Sequence, residues 1–150
     1  MNKFEKRPIL IVEDSDSDYD ATIWALGDHA KSIPLVRCSG GEEVMKYLEN
    51  RGSFALDAER PAPALILLDL NLPRMNGLEI LRYIRNSPYA RLLPVVILTT
   101  SANPADVEAS YRGGANTFFL KPFDLLEFRK TLDVVVTYWA LHAILPMSRT

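Results

Sequence analysis

Four short aliphatic runs constrain this chain more than any other feature: Ile9-Leu-Ile-Val12, Leu65-Ile-Leu-Leu68, Val95-Val-Ile-Leu98 and Thr117-Phe-Phe-Leu120. None of them alternates apolar with polar residues, and an unbroken apolar run of this length is the pattern of a strand covered on both faces. A weaker run, residues 33–36, lies between the first two. The intervening segments carry helix signals. Ser39-Gly-Gly-Glu42 reads as a capping box ahead of Val44, Tyr47 and Leu48. Asn103-Pro-Ala-Asp106 offers an N-cap, a proline at the first helical position and an acid in the first turn, and Asp124-Leu-Leu-Glu127 repeats the box logic. Gly113-Gly114 supplies the positive φ that ends the fourth helix. Residues 19–28 and 78–85 fill the remaining helical slots, with Trp24, Leu81 and Ile84 expected in the core, and residues 52–63, with two prolines and mixed charges, read as a surface loop.

Strand and helix thus alternate five times with short links, which calls for parallel strands joined by right-handed crossovers. The expected fold class is α/β, a doubly wound five-stranded parallel sheet of (βα)₅ form. At 150 residues the chain fits one domain with one core. Its 48% hydrophobic and 24% charged residues belong to an ordinary globular protein, and a net charge of −2 creates no global field toward nucleic acid or an anionic membrane. A single cysteine, Cys38, suits a reducing compartment and is expected to be a small semi-buried residue. The amino terminus lacks a signal peptide's hydrophobic stretch, and no apolar run approaches the roughly 18 residues of a membrane span. The expected location is therefore cytoplasmic.

In such a sheet, sites form outside the carboxyl ends of the strands. Glu13 and Asp14 follow the first run, Asp69 the third, Thr99 and Thr100 the fourth, and Lys121 the fifth. Three acids brought within a few ångströms need a counter-charge to stay ionised near neutral pH, and oxygen ligands without histidine or thiolate favour a hard divalent ion such as Mg²⁺. That points to phosphoryl chemistry. An aspartate can accept a phosphoryl group as a covalent nucleophile, which makes Asp69 the candidate acceptor. Asp14, Glu13 through water, and the backbone carbonyl of Asn71 are expected to hold Mg²⁺, with Lys121 and the Thr99 hydroxyl serving the other phosphoryl oxygens.

Four motifs in register carry a family resemblance: Glu13-Asp14 after the first strand, Leu67-Leu-Asp-Leu-Asn-Leu-Pro-Arg-Met-Asn-Gly77, Leu98-Thr-Thr100 and Phe119-Leu-Lys-Pro-Phe123. Together they resemble the receiver domains of two-component response regulators, from about residue 8 to the end of the fifth helix. The resemblance implies the flavodoxin-like receiver fold, Asp69 as phosphoacceptor, and Glu13, Asp14, Asp69 and Asn71 around the metal, with Mn²⁺ or Ca²⁺ as substitutes for Mg²⁺. It further implies Thr99 as the switch hydroxyl, Phe118 as the switch aromatic, Lys121 as the lysine of the site and a cis Lys121-Pro122 bond. Phe118 stands where tyrosine is also common in the family, which removes one phenol, and Thr100 stands where a smaller residue is frequent, which narrows access to Asp69. Within the family the chain is similar to single-domain regulators that partner bacterial phytochrome-type histidine kinases. The implied partners are such a sensor kinase and a histidine phosphotransfer protein.

Other readings fit less well. A haloacid-dehalogenase-type aspartyl-phosphate hydrolase wants a second aspartate two residues after the nucleophile, and position 71 is Asn. A dinucleotide-binding module wants a glycine-rich first turn, whereas Glu13-Asp-Ser-Asp16 would repel phosphate. A phosphorylation-independent binding module is the remaining alternative, against which the intact acidic set argues. His29 and His142 have no ligand-like partners at helical spacing and are expected at the surface or the core edge.

With a domain core over about residues 8–137, no residues remain for a DNA-binding output domain, so the output is expected to be protein docking. The terminal helix is expected over residues 124–145, about 33 Å at 1.5 Å per residue. Phe128, Leu132, Val135 and Trp139 form one stripe toward the core. Val134, Tyr138, Leu141 and Leu145 form a second about 120° away. The second stripe is the expected interface, either for kinase docking or for a homodimer formed through the fourth helix, fifth strand and fifth helix.

Overall fold

The computed structural model describes residues 7–49, 62–101 and 103–146; most of the proposed 52–63 loop lies outside them. The element order is β1 (Ile9–Val12), α1 (Asp16–Leu26), α2 (His29–Ser32), β2 (Leu35–Cys38), α3 (Gly41–Leu48), β3 (Leu65–Leu68), α4 (Gly77–Asn86), β4 (Val95–Thr99), α5 (Pro104–Arg112), β5 (Thr117–Leu120) and α6 (Leu125–Val136). A π-helical turn, Thr137–His142, continues α6. All five strands are parallel, in the order β2-β1-β3-β4-β5. The order reverses between β1 and β3, which places the topological switch beside Glu13 and Asp69.

Each aliphatic run divides its side chains between two cores, because successive residues of a strand point to opposite faces. Leu10, Val12, Ile66, Leu68, Val95 and Ile97 pack with Val44, Tyr47, Ile80, Leu81 and Ile84 from α3 and α4. Ile9, Ile11, Leu65, Leu67, Val96 and Leu98 pack with Ala25, Leu26, Phe128, Leu132 and Val135 from α1 and α6. Every residue of β1, β3 and β4 is buried, which is why these runs never alternate.

Capping side chains start the helices. Asn103 accepts from the Ala105 N–H at 2.9 Å, and Asp124 accepts from Leu126 and Glu127 at 2.7 and 3.2 Å. The box expected at Ser39 and Glu42 is displaced by one residue. Gly40 is the N-cap of α3, so Glu43 occupies the third helical position, and its carboxylate accepts from the Ser39 N–H at 3.1 Å and the Ser39 hydroxyl at 2.6 Å. Gly114, at φ +102°, ends α5 as expected.

Several boundaries and placements differ from expectation. The second strand runs two residues later than 33–36: Leu35 stands opposite Ile9, while the Pro34 carbonyl accepts from the Ile9 N–H and proline has no N–H to offer. Helix α1 begins three residues early, because Ser15 caps it. Cys38 is fully buried. Trp24 is exposed rather than in the core, since α1 buries Thr22, Ala25 and Leu26; the indole instead lies 4.0 Å beneath the Arg129 guanidinium. His29 pairs with Asp133 of α6 at 2.7 Å. The Lys121-Pro122 bond is trans, the form an X-Pro bond favours by about 0.5–1 kcal/mol.

The expected terminal helix also ends early. Phe128, Leu132 and Val135 are buried and Trp139 packs against the same core. Val134, Tyr138 and Leu141 are exposed, at 62%, 59% and 49%. The helical path stops at His142, so Leu145 does not extend this stripe and is half-buried. Pro146 cannot continue the helix, since its ring would meet the carbonyl of residue 142; beyond the stop, the Arg7 guanidinium donates to the carbonyls of Ala62, Pro63 and Pro146, at 2.9, 2.8 and 2.9 Å.

A close backbone approach lies under the candidate site. The Gly77 N–H donates to the Leu70 carbonyl at 3.0 Å, and a Cβ on Gly77 would sit 2.5 Å from the Asp69 carbonyl oxygen and 2.6 Å from the Leu70 Cα. Neither neighbour is a flexible side chain. Gly77→Ala is therefore expected to cost about 1–3 kcal/mol, the usual cost of overpacking, read as a lower urea midpoint; an unchanged midpoint would mean that the helix start shifts freely.

Candidate functional site

The site is built on backbone that continues the sheet's hydrogen bonding past the strand ends. The Glu13 N–H donates to the Cys38 carbonyl at 3.0 Å, Asp69 to Val12 at 3.3 Å, and Lys121 to Thr99 at 2.7 Å. Glu13, Asp69 and Lys121 are thereby fixed by the strands before any side-chain contact forms.

Their side chains then meet. The Lys121 Nζ donates to Glu13 Oε1 at 2.8 Å and to Asp69 Oδ2 at 3.0 Å. Each carboxylate's second oxygen takes a backbone N–H: Ser15 donates to Glu13 Oε2 at 3.4 Å, and Asn71 donates to Asp69 Oδ1 at 2.9 Å. The Asn71 side chain spans to β4, its Nδ2 donating to the Thr99 hydroxyl at 3.2 Å. Glu13, Asp69, Asn71, Thr99 and Lys121 therefore form one connected network. Glu13, Asp69 and Thr99 are buried.

Burial sets the electrostatics. It pushes the Glu13 carboxyl above its ordinary range, opposed by the hydrogen bond and charge of Lys121 and reinforced by the charge of Asp69. For Lys121, burial acts to lower the pKa, but the hydrogen bonds and charges of Glu13 and Asp69 outweigh it and hold the ammonium above its usual value. One ammonium between two carboxylates leaves a surplus of negative charge when both are ionised.

Helix α1 adds to that surplus. Asp18, with Glu13 and Asp69, contributes to a trio whose oxygens lie within 4.8 Å of one another, a set that can hold a divalent metal. The donors are all carboxylate oxygens, which suits a hard cation. Sequence reading did not single out Asp18, yet a signal existed. Ser15 accepts from the Asp18 N–H at 3.3 Å, so Ser15-Asp-Ser-Asp18 is an N-terminal capping sequence that starts the helix early enough to bring Asp18 to the sheet edge.

The remaining expected residues lie nearby. Asp14 is exposed in the turn between β1 and α1, outside the trio, and Thr100 is exposed just beyond β4. Phe118 of β5 is half-buried against the α3/α4 core. Its N–H donates to the Tyr111 phenol of α5 at 3.2 Å, so a phenol reaches this strand from a neighbouring helix. Among the described residues no helix is long and apolar enough to cross a membrane.

Known proteins resemble this chain in sequence and in fold. Response regulator Rcp1 of Synechocystis sp. is 36% identical over 140 residues, covering 93% of both chains. The crystal structure of the phosphorylated cyanobacterial phytochrome response regulator RcpA superposes with a TM-score of 0.84 at 35% identity, over 93% of this chain and 98% of that one. The Mn²⁺-bound form of Rcp1 superposes with a TM-score of 0.81 at 35% identity, over 93% and 99%. The response regulator receiver domain family matches residues 9–133. That span includes the whole sheet and every residue of the hydrogen-bonded network, and the chain belongs to the response regulator receiver domain family.

Proposed function

We propose that this receiver takes a phosphoryl group from the phosphohistidine of a sensor histidine kinase onto Asp69, with Mg²⁺, and signals through protein contacts. The observation that carries the reading is the largely buried Lys121 ammonium, held at once by Glu13 and Asp69. The fixed cation lies beside the oxygen that would attack, where charge gathers as phosphorus changes partners. In the transfer, a bond forms between an Asp69 oxygen and phosphorus while the phosphorus–nitrogen bond breaks and its electron pair returns to the imidazole. The Asn71 N–H orients the carboxylate. Asp14, Asp69, the Asn71 carbonyl and, through water, Glu13 would hold Mg²⁺, with Asp18 adjoining; Mn²⁺ and Ca²⁺ are the expected substitutes. When bound, the ion neutralises charge on the phosphoryl oxygens. Asn71 engages Thr99 through its amide and has no proton to exchange as an acid/base, which disfavours the hydrolase reading.

The similar structure named as a cyanobacterial phytochrome response regulator favours a phytochrome-type kinase as phosphodonor, with a histidine phosphotransfer protein as an alternative relay. Acetyl phosphate or such a kinase is expected to label the protein only with Mg²⁺ present, and Asp69→Asn is expected to abolish the label. Undiminished label on the variant, or label resistant to alkali and hydroxylamine, would refute acceptor chemistry.

Metal binding and switching separate by substitution. Asp14→Ala is expected to abolish Mg²⁺ binding to the unphosphorylated protein, because it removes a direct carboxylate ligand. Thr99→Ala is expected to keep Mg²⁺ binding but to uncouple phosphorylation from rearrangement of Phe118, as its hydroxyl is the group that follows the phosphoryl oxygen. NMR titration reads both. Equal Mg²⁺ affinity in Asp14→Ala and wild type would refute the metal assignment.

The exposed Val134, Tyr138 and Leu141 support a homodimer through α5, β5 and α6. Burying each large apolar side chain would return about 1.5–3 kcal/mol. Sedimentation is expected to give a dimer for the wild type and a monomer for Tyr138→Glu with Leu141→Glu. A wild type monomeric at about tens of micromolar, phosphorylated or not, would refute the homodimer and leave kinase docking as the use of this face.

A further inference from the structure

Residues 13–20 carry five carboxylates in eight positions: Glu13, Asp14, Asp16, Asp18 and Asp20. Side chains of like charge this dense repel, so the turn from β1 into α1 needs a counterweight to hold one shape. Strand β2 supplies it from outside the network. Arg37, whose register partner on β1 is Ile11, turns its guanidinium onto the turn. Its Nε donates to the Glu13 carbonyl at 3.1 Å, its Nη1 pairs with Asp16 Oδ1 at 2.8 Å, and its Cζ lies 4.6 Å from the Tyr19 ring centroid.

These three contacts fall at residues 13, 16 and 19, so one rigid group grips the strand end, the first helical residue and the next turn of α1. The fork matters, because the planar guanidinium satisfies a carbonyl and a carboxylate while stacking on a ring, which an ammonium cannot do. The Arg37 side chain is only 27% exposed. It holds Asp16 on its own charge, while Asp18 joins Glu13 and Asp69.

We infer that Arg37 is a positioning residue for the divalent cation site: it fixes the acidic turn and withdraws Asp16, so that the remaining acids are presented in one arrangement. The inference rests on the proposed Mg²⁺ site. Arg37 touches neither the ion nor the phosphoryl group and acts through the Glu13 backbone and α1.

The sign of the effect separates positioning from simple charge. A cation near a cation site repels the ion, so losing Arg37 would tighten binding if only its field mattered. Losing the clamp weakens it. Mn²⁺ affinity measured by electron paramagnetic resonance of the free ion, with Mg²⁺ by competition, is the readout, alongside circular dichroism of the metal-free proteins. Arg37→Met is expected to weaken Mn²⁺ binding about tenfold, the low end for loss of an outer-shell partner. Arg37→Lys, which keeps the charge and loses the fork, is expected to weaken it similarly. Affinity unchanged or tighter in Arg37→Met, or unchanged in Arg37→Lys, overturns the inference; should Arg37→Met fail to fold, Arg37→Lys alone decides. A wild type that binds neither ion refutes the metal reading beneath it, whereas a wild type that binds and variants that bind equally refute only the role of Arg37.

Discussion

The Lys121 ammonium between two buried carboxylates is the interaction on which the site depends. Removing Glu13 and Asp69 from water is costly, and that cost is offset only because each oxygen has a fixed partner: Lys121 for one oxygen of each acid, a backbone N–H for the other. The backbone partners are local, each two residues past its acid, whereas Lys121 reaches both acids because β1, β3 and β5 end at the same edge of a parallel sheet. Chemistry and architecture are thus one requirement here. A sheet that ended its strands at different heights could not bring three charges to hydrogen-bonding distance and still satisfy them.

Much of this is legible in the sequence. Three of the five strands are buried on both faces, so their sequence has no polar positions to blur the pattern, and the strand-end residues Glu13, Asp69, Thr99 and Lys121 could be read directly beside them. What escaped the reading depends on partners remote in sequence. The second strand begins two residues past the apolar run's start because Pro34 belongs to that run in sequence but lacks the donor that pairing with β1 needs. The one-residue shift of the Ser39 box follows from Gly40 taking the cap. Asp18 is hidden because apolar periodicity begins only at Tyr19, whereas the Ser15 cap starts the helix at Asp16 and so includes the turn carrying the third acid.

The chain's end teaches a different lesson. Side-chain periodicity correctly separated a buried stripe, Phe128, Leu132 and Val135, from an exposed one, Val134, Tyr138 and Leu141. It could not locate the stop. The local signal for it is Pro146, four residues past His142, while the contact that the tail then makes, with Arg7, lies 139 residues away in sequence. A π-helical turn at Thr137–His142 widens the helix just before it, a feature that intrinsic propensities do not encode.

Burial also shows where a change at Asp69 can be absorbed. Strands β1, β3 and β4 lie wholly inside, so shifting any of them would open voids in a close-packed interior. Strand β5 is the edge strand on that side: Thr117, Phe118 and Phe119 are half-buried and Leu120 is exposed. It pairs with β4 through Ile97 opposite Phe118 and Thr99 opposite Leu120, one step from the Asn71 amide that holds the Thr99 hydroxyl. On its outer side, the Phe118 N–H is held by the Tyr111 phenol rather than by another strand. A single side-chain hydrogen bond is worth only about 0.5–1.5 kcal/mol net, far less than repacking a buried strand. Rearrangement at Thr99 therefore meets least resistance toward β5 and α5, the same side of the molecule that β5 leaves open to a partner.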